Sequence, residues 1–126
     1  MTAILHVGQI TVNSMNPRSL AEFYAQIFGG AVADYGNGYI GVNNDNNQPG
    51  LLFQQADEPS PQPGWVHLDC VLPEQSRTPQ GLDAAIAAIT EAGGRFVEHR
   101  GDSNFAWTVM EDPEGNPFCI STGPAT

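Results

Sequence analysis

The chain repeats one pattern, and that repeat limits its possible folds more than any other feature. Gly29-Gly30 and Gly93-Gly94 are 64 residues apart, and each pair follows an amphipathic run. Gly50, Phe53 and Gln54 precede Gly115, Phe118 and Cys119 by 65 residues, and Gln9 precedes His67 by 58. An internal repeat means one supersecondary unit used twice. The smaller first offset places about six extra residues in the second half, within Pro73 to Gln80.

Each unit reads as βαβββ. In the first, Ile4 to Asn13 is rich in β-branched residues and predicts a strand. Asn16-Pro17 opens a helix, since Asn caps well and Pro suits the first helical position. Leu20, Phe23, Tyr24 and Ile27 follow at i, i+3, i+4, i+7 as one apolar stripe, and the glycine pair ends it. Ala31 to Tyr35, Tyr39 to Val42 and Leu51 to Gln55 predict three strands. Gly36-Asn37-Gly38 makes the first turn, and the Asn-rich run from Asn43 to Gly50 makes a loop.

Residues 57 to 64 hold three prolines and a glycine and read as a linker between a half at 1–56 and a half at 65–122. Beyond it, Trp65 to Leu72 predicts a strand. Gly81 to Ala92 predicts a helix whose stripe is Leu82, Ala85, Ile86 and Ile89. Arg95 to His99, Phe105 to Met110 and Phe118 to Ser121 predict three more strands. The expected class is α+β, two tandem βαβββ modules with curled mixed sheets, in a single domain over 1–126.

Charge excludes some partners. Fourteen acidic residues against four basic ones give a formal charge of −10. Nucleic-acid binding draws its affinity from Lys and Arg, so neither nucleic acid nor an anionic membrane is an expected partner. A cationic small molecule would be drawn in by the field; the plainer reading is that the charge aids solubility. No apolar run has the roughly 18 residues of a membrane helix, and no basic patch precedes the first apolar residues as in a signal peptide. Cys70 and Cys119 sit in apolar stretches and read as free thiols in a reducing cytoplasm.

Several motifs resemble the vicinal-oxygen-chelate superfamily, which includes glyoxalase I, extradiol dioxygenases and the bleomycin-resistance binding proteins. They are Asn16-Pro17-Arg18-Ser19-Leu20-Ala21-Glu22-Phe23-Tyr24, then His67-Leu68-Asp69-Cys70, then the run from Met110 to Cys119 with its Asp-Pro-Glu-Gly-Asn turn. The last two resemble the glyoxalase-like domain branch. The resemblance implies open, barrel-like halves around a cavity, and commonly a homodimer that covers the open edges. In the enzymes it implies a divalent metal held by four side chains from the first and last strands of each half.

Counted from those motifs, the four positions fall at Gln9, Gln54, His67 and Cys119. Such a set, two amides, an imidazole and a thiol, lacks the carboxylate that a hard dication wants, and neither Gln can serve as the base for a glyoxalase reaction. The expected cofactor is therefore none, with a divalent metal at Gln9, Gln54, His67 and Cys119 as the alternative. The expected function is metal-free binding or sequestration of a small molecule, of the bleomycin-resistance type. A metal-dependent lyase, isomerase or dioxygenase is the alternative.

The candidate ligand-binding residues are Gln9, Phe53, Gln54, His67, Asp69, Trp107 and Cys119. His67 either faces a ligand or is a structural histidine satisfied by Asp69, two residues on along the same strand face. Asp69 either orients that imidazole or meets a cationic ligand. Gln9 shares a polar face with Thr11 and Asn13, which suits a wet cavity. Cys119 reads either as a packed thiol or as a ligand. Trp107 and Phe53 offer aromatic walls, with core packing as the plainer reading for Phe53, Phe105 and Tyr39. His6 and His99 read as surface groups, and no nucleophile-elbow pattern is present.

Overall fold

The computed structural model describes residues 2–43, 48–59, 61, 66–103 and 105–121. They form two compact units, residues 1–60 and 61–126. The first unit runs β1 (Gln9–Ser14), α1 (Pro17–Phe28), β2 (Ala31–Gly36), β3 (Tyr39–Asn43) and β4 (Gly50–Gln55). The second runs β5 (Leu68–Val71), a 3₁₀ turn (Glu74–Ser76), α2 (Pro79–Glu91), β6 (Arg95–Gly101), β7 (Ala106–Glu111) and β8 (Pro117–Ser121). The sheet orders are β1-β4-β3-β2 and β5-β8-β7-β6. In both, the first strand lies parallel to the last and the other pairs are antiparallel. The fold is thus α+β, with two βαβββ modules.

Local chemistry sets the helix ends. Asn16 caps α1 through its side-chain oxygen, which accepts from the Ser19 amide, and Gly29 ends it in the left-handed region at φ 73°. In α2, Thr78 Oγ1 accepts from the Gly81 amide at 2.9 Å and Pro79 takes the first helical position. That Thr-Pro signal starts α2 two residues before the expected Gly81. The extra residues of the second half include the 3₁₀ turn.

Strand limits follow pairing more than composition. The expected strand from Ile4 shortens, because β4 begins at Gly50 opposite Gln9 and offers no ladder before it. Ile4 and Leu5 are 95% and 86% exposed. The second half's first strand likewise shortens from Trp65–Leu72 to Leu68–Val71, where Leu68 meets Phe118 on β8. Trp65 lies outside the described residues, and His67 sits just before the strand. In the linker, Ser60 and residues 62–64 are also outside them.

The first unit buries one face of its sheet under α1. Leu20, Phe23 and Tyr24 pack over Val42, Leu51 and Phe53, all nearly inaccessible. Tyr24 and Phe53 stack with ring centroids 5.5 Å apart and planes at 11°. Stacking of this kind adds to burial. In the second unit, Met110, Phe118 and Ile120 are buried, whereas α2 contributes only Ile89 to the buried set. Phe53→Ala should cost about 3–5 kcal/mol of unfolding free energy, from lost burial and an unfilled cavity. Urea denaturation followed by circular dichroism checks it; a loss below about 1 kcal/mol would contradict this packing.

Candidate functional site

Strand alternation decides which side chains leave the core. On β4, Leu51 and Phe53 are buried and Gln54 points to the other face. Phe53 is 0% exposed and stacks on Tyr24. It is a core residue, which corrects its placement among the ligand-binding set: it has no exposed surface to offer a ligand.

Gln9, Thr11 and Asn13 are exposed on one face of β1, as their pattern suggested. Gln9 lies opposite Gly50, and Gln54 lies opposite Asn13. In register the two glutamines are therefore four residues apart, about 13 Å along the strand. In the second unit, His67 is only two residues from Asp69, which lies opposite Cys119. Matching Gln9 to His67 and Gln54 to Cys119 therefore slips by two residues. A slip of two preserves the face, so alternation in the sequence does not reveal it.

The second unit gathers the rest. One open face of its sheet forms a pocket of about 460 Å³. Phe105 and Trp107 make one wall, with ring centroids 5.7 Å apart, and Val109 and Pro117 continue it. His67, Asp69 and Cys119 make the polar end, and Arg100 lines the pocket opposite Trp107 in the β6–β7 register. Arg100 is paired with Glu98, which offsets its charge. Of the expected residues, the structure thus joins His67, Asp69, Trp107 and Cys119. Arg100 was missed, although counting the β6–β7 hairpin register places it across from Trp107. His99, expected at the surface, is exposed with one ring nitrogen 2.9 Å from Thr108 Oγ1.

Contacts within the polar end are specific. His67 Nε2 lies 3.1 Å from Asp69 Oδ1. Burial first, then the Asp69 charge and its hydrogen bond, push the Cys119 thiol above the usual range, with Arg100 opposing. Cys119 is thus a protonated donor to the Asp69 carboxylate. Cys70 also borders the pocket, and burial chiefly pushes its thiol up to about 12. Both cysteines are free. The turn before β8 is locked by Asp112, whose Oδ1 accepts from the Glu114 and Asn116 amides at 2.9 and 3.0 Å. Gly115, at φ 83°, takes the left-handed position of that turn. This turn sets where Cys119 stands on β8.

The model of the glyoxalase-like domain family matches residues 9–121. The chain belongs to that family. The hypothetical protein SA1046 from S. aureus is 16% identical, with 97% of this chain and 96% of that one covered and a TM-score of 0.73. Oxidase ChaP-H2 is 21% identical over 97% and 96%, with a TM-score of 0.71. The fosfomycin resistance protein FosX from Listeria monocytogenes, solved with Mn(II) and a dihydroxypropylphosphonic acid, is 12% identical over 97% and 93%, with a TM-score of 0.75. At these identities the likeness is one of fold. No curated protein matches the chain in sequence. Among the described residues no helix is long and apolar enough to cross a membrane.

The family's enzymes imply a divalent metal. A hard dication wants about six oxygen donors. The polar end supplies one carboxylate beside an imidazole and a thiol, so these residues do not fit a hard ion.

The thiol account has a direct check. Asp69→Asn leaves the burial that chiefly raises the Cys119 pKa but removes the charge that adds to it, so more thiolate forms at about pH 8. Alkylation of Cys119 by iodoacetamide, followed by peptide mass spectrometry, should speed up several-fold. Cys70, held up mainly by burial, should stay unreactive in both proteins. An unchanged Cys119 rate would show that Asp69 does not control the thiol.

Proposed function

We propose that this chain is a small-molecule-binding member of the glyoxalase-like family that takes its ligand in the second-half pocket without a hard divalent metal. Binding or sequestration, of the bleomycin-resistance type, is the function this implies. One observation carries the reading: a pocket of about 460 Å³ with an aromatic wall at Phe105 and Trp107 and a polar end at His67, Asp69 and Cys119. Pockets that combine apolar area with a few placed polar groups bind and orient small molecules. The wall supplies burial and the polar end supplies direction.

Electrostatics favour a cationic or donor-rich ligand. The Asp69 side chain is 79% exposed, and the whole chain carries −10. A carboxylate in an acidic field attracts a positive group, and an indole face adds a cation–π contact. No base held close to a reacting carbon is needed for this role.

A thermal-shift screen of cationic aromatic compounds tests it, since binding raises apparent stability. Hits should quench Trp107 fluorescence in a Trp65→Phe background. His67→Ala should weaken a hit by about 1–3 kcal/mol, roughly 5- to 150-fold in Kd. Hits insensitive to both His67→Ala and Trp107→Ala would place the ligand elsewhere and overturn the reading.

A further inference from the structure

We propose that Arg100 makes the second-half pocket selective for an amphoteric aromatic ligand, one that carries a cationic group for Asp69 and an anionic oxygen group for Arg100 at opposite ends of a ring. This rests on the reading of that pocket as a small-molecule site and names the class of molecule it takes. The chain has four basic residues, all arginine. Arg18 is held by Asp34, Arg77 by the Leu72 carbonyl and Arg95 by Glu111. Arg100 is the one that lines the pocket. A cation there repels a purely cationic ligand and favours one that also carries negative charge.

The strand registers set the two charges at opposite corners. Asp69, Cys119, Val109 and Glu98 form one cross-strand row from β5 to β6. Ser121, Trp107 and Arg100 form the next row, two residues further along. The period of two puts both rows on one face. Three strand spacings and one two-residue step separate the Asp69 and Arg100 backbones by about 16 Å on a flat sheet. Side chains reaching inward narrow the gap between their charges to about 6–10 Å, the span of a ring with a short substituent at each end. Trp107 stands beside Arg100 in its row and, with Phe105, supplies the wall for that ring. The Arg100 charge opposes the rise of the Cys119 thiol, so its field reaches the polar end.

The contact with Glu98 does not disqualify Arg100. It uses Nε, one of the five N–H donors of a guanidinium. The two side chains are 59% and 45% exposed, and an ion pair that open is weak and readily exchanged. A ligand carboxylate takes two parallel N–H bonds from a guanidinium, a geometry that adds direction as well as strength. Glu98 therefore holds the arginine over the pocket and competes with the ligand for it.

The test uses the full-length Trp65→Phe protein and reads Trp107 fluorescence. Three matched compounds are compared: 4-(2-aminoethyl)benzoate with both charges, 2-phenylethylamine with the cation alone, and 4-ethylbenzoate with the anion alone. The amphoteric compound should bind about tenfold more tightly than the amine, and the ethylbenzoate more weakly than either. Arg100→Gln should bring the amphoteric compound and the amine to within about twofold of each other, and Arg100→Lys should keep part of the gap. Glu98→Gln should tighten the amphoteric compound several-fold, because it removes the competing carboxylate. Should Arg100→Gln fail to fold, the three wild-type affinities and Glu98→Gln still decide. An amine or an ethylbenzoate that binds as tightly as the amphoteric compound, or a gap that survives Arg100→Gln, overturns this inference and leaves the pocket reading intact. Binding by none of the three overturns both.

Discussion

The parallel ladder between the first and last strand of each half is the constraint on which the rest depends. A parallel pair cannot be closed by a tight turn, so the chain must cross over between its members. In both halves a helix and two antiparallel strands make that crossing. The helix covers one sheet face, most fully in the first half, where α1 seals Phe53 and Val42. The other face carries the polar residues. In the second half the same ladder sets Asp69 against Cys119, and so the pocket's polar end is a direct product of the topology.

That polar end is a small electrostatic system with Asp69 at its centre. Its carboxylate takes a contact from His67 and a hydrogen bond from Cys119, and after burial it is the main group that raises the thiol it touches. A protonated thiol is a poor nucleophile. The resting cluster is therefore suited to hydrogen bonding and is biased against attack.

Much of the fold is legible in the sequence because its signals are local. Leu20, Phe23, Tyr24 and Ile27 carry helical spacing, Asn16-Pro17 opens the helix, and the glycine pairs close both helices. Long-range register is much less legible. Ile4 to Gly8 read as strand by composition, yet a strand also needs a partner, and β4 starts at Gly50. Phe53 reads as a cavity wall by position, yet it is fully buried against Tyr24. Asp69 meets Cys119 across fifty residues of chain, and only the pairing of β5 with β8 reveals that contact. The two-residue slip between the halves hides for a related reason: it leaves every face unchanged.

The central claim is that Asp69 organises the pocket's polar end by holding His67. Long-range proton–nitrogen NMR of the His67 imidazole tests it most directly, because the tautomer reports which ring nitrogen carries the proton. With Asp69 accepting at 3.1 Å, the neutral ring should hold its proton on Nε2 in the wild type. Asp69→Ala should shift the ring towards a tautomer mixture and move both nitrogen resonances. His67 resonances that do not change on that substitution would contradict the account, because the imidazole would then be held by something other than Asp69.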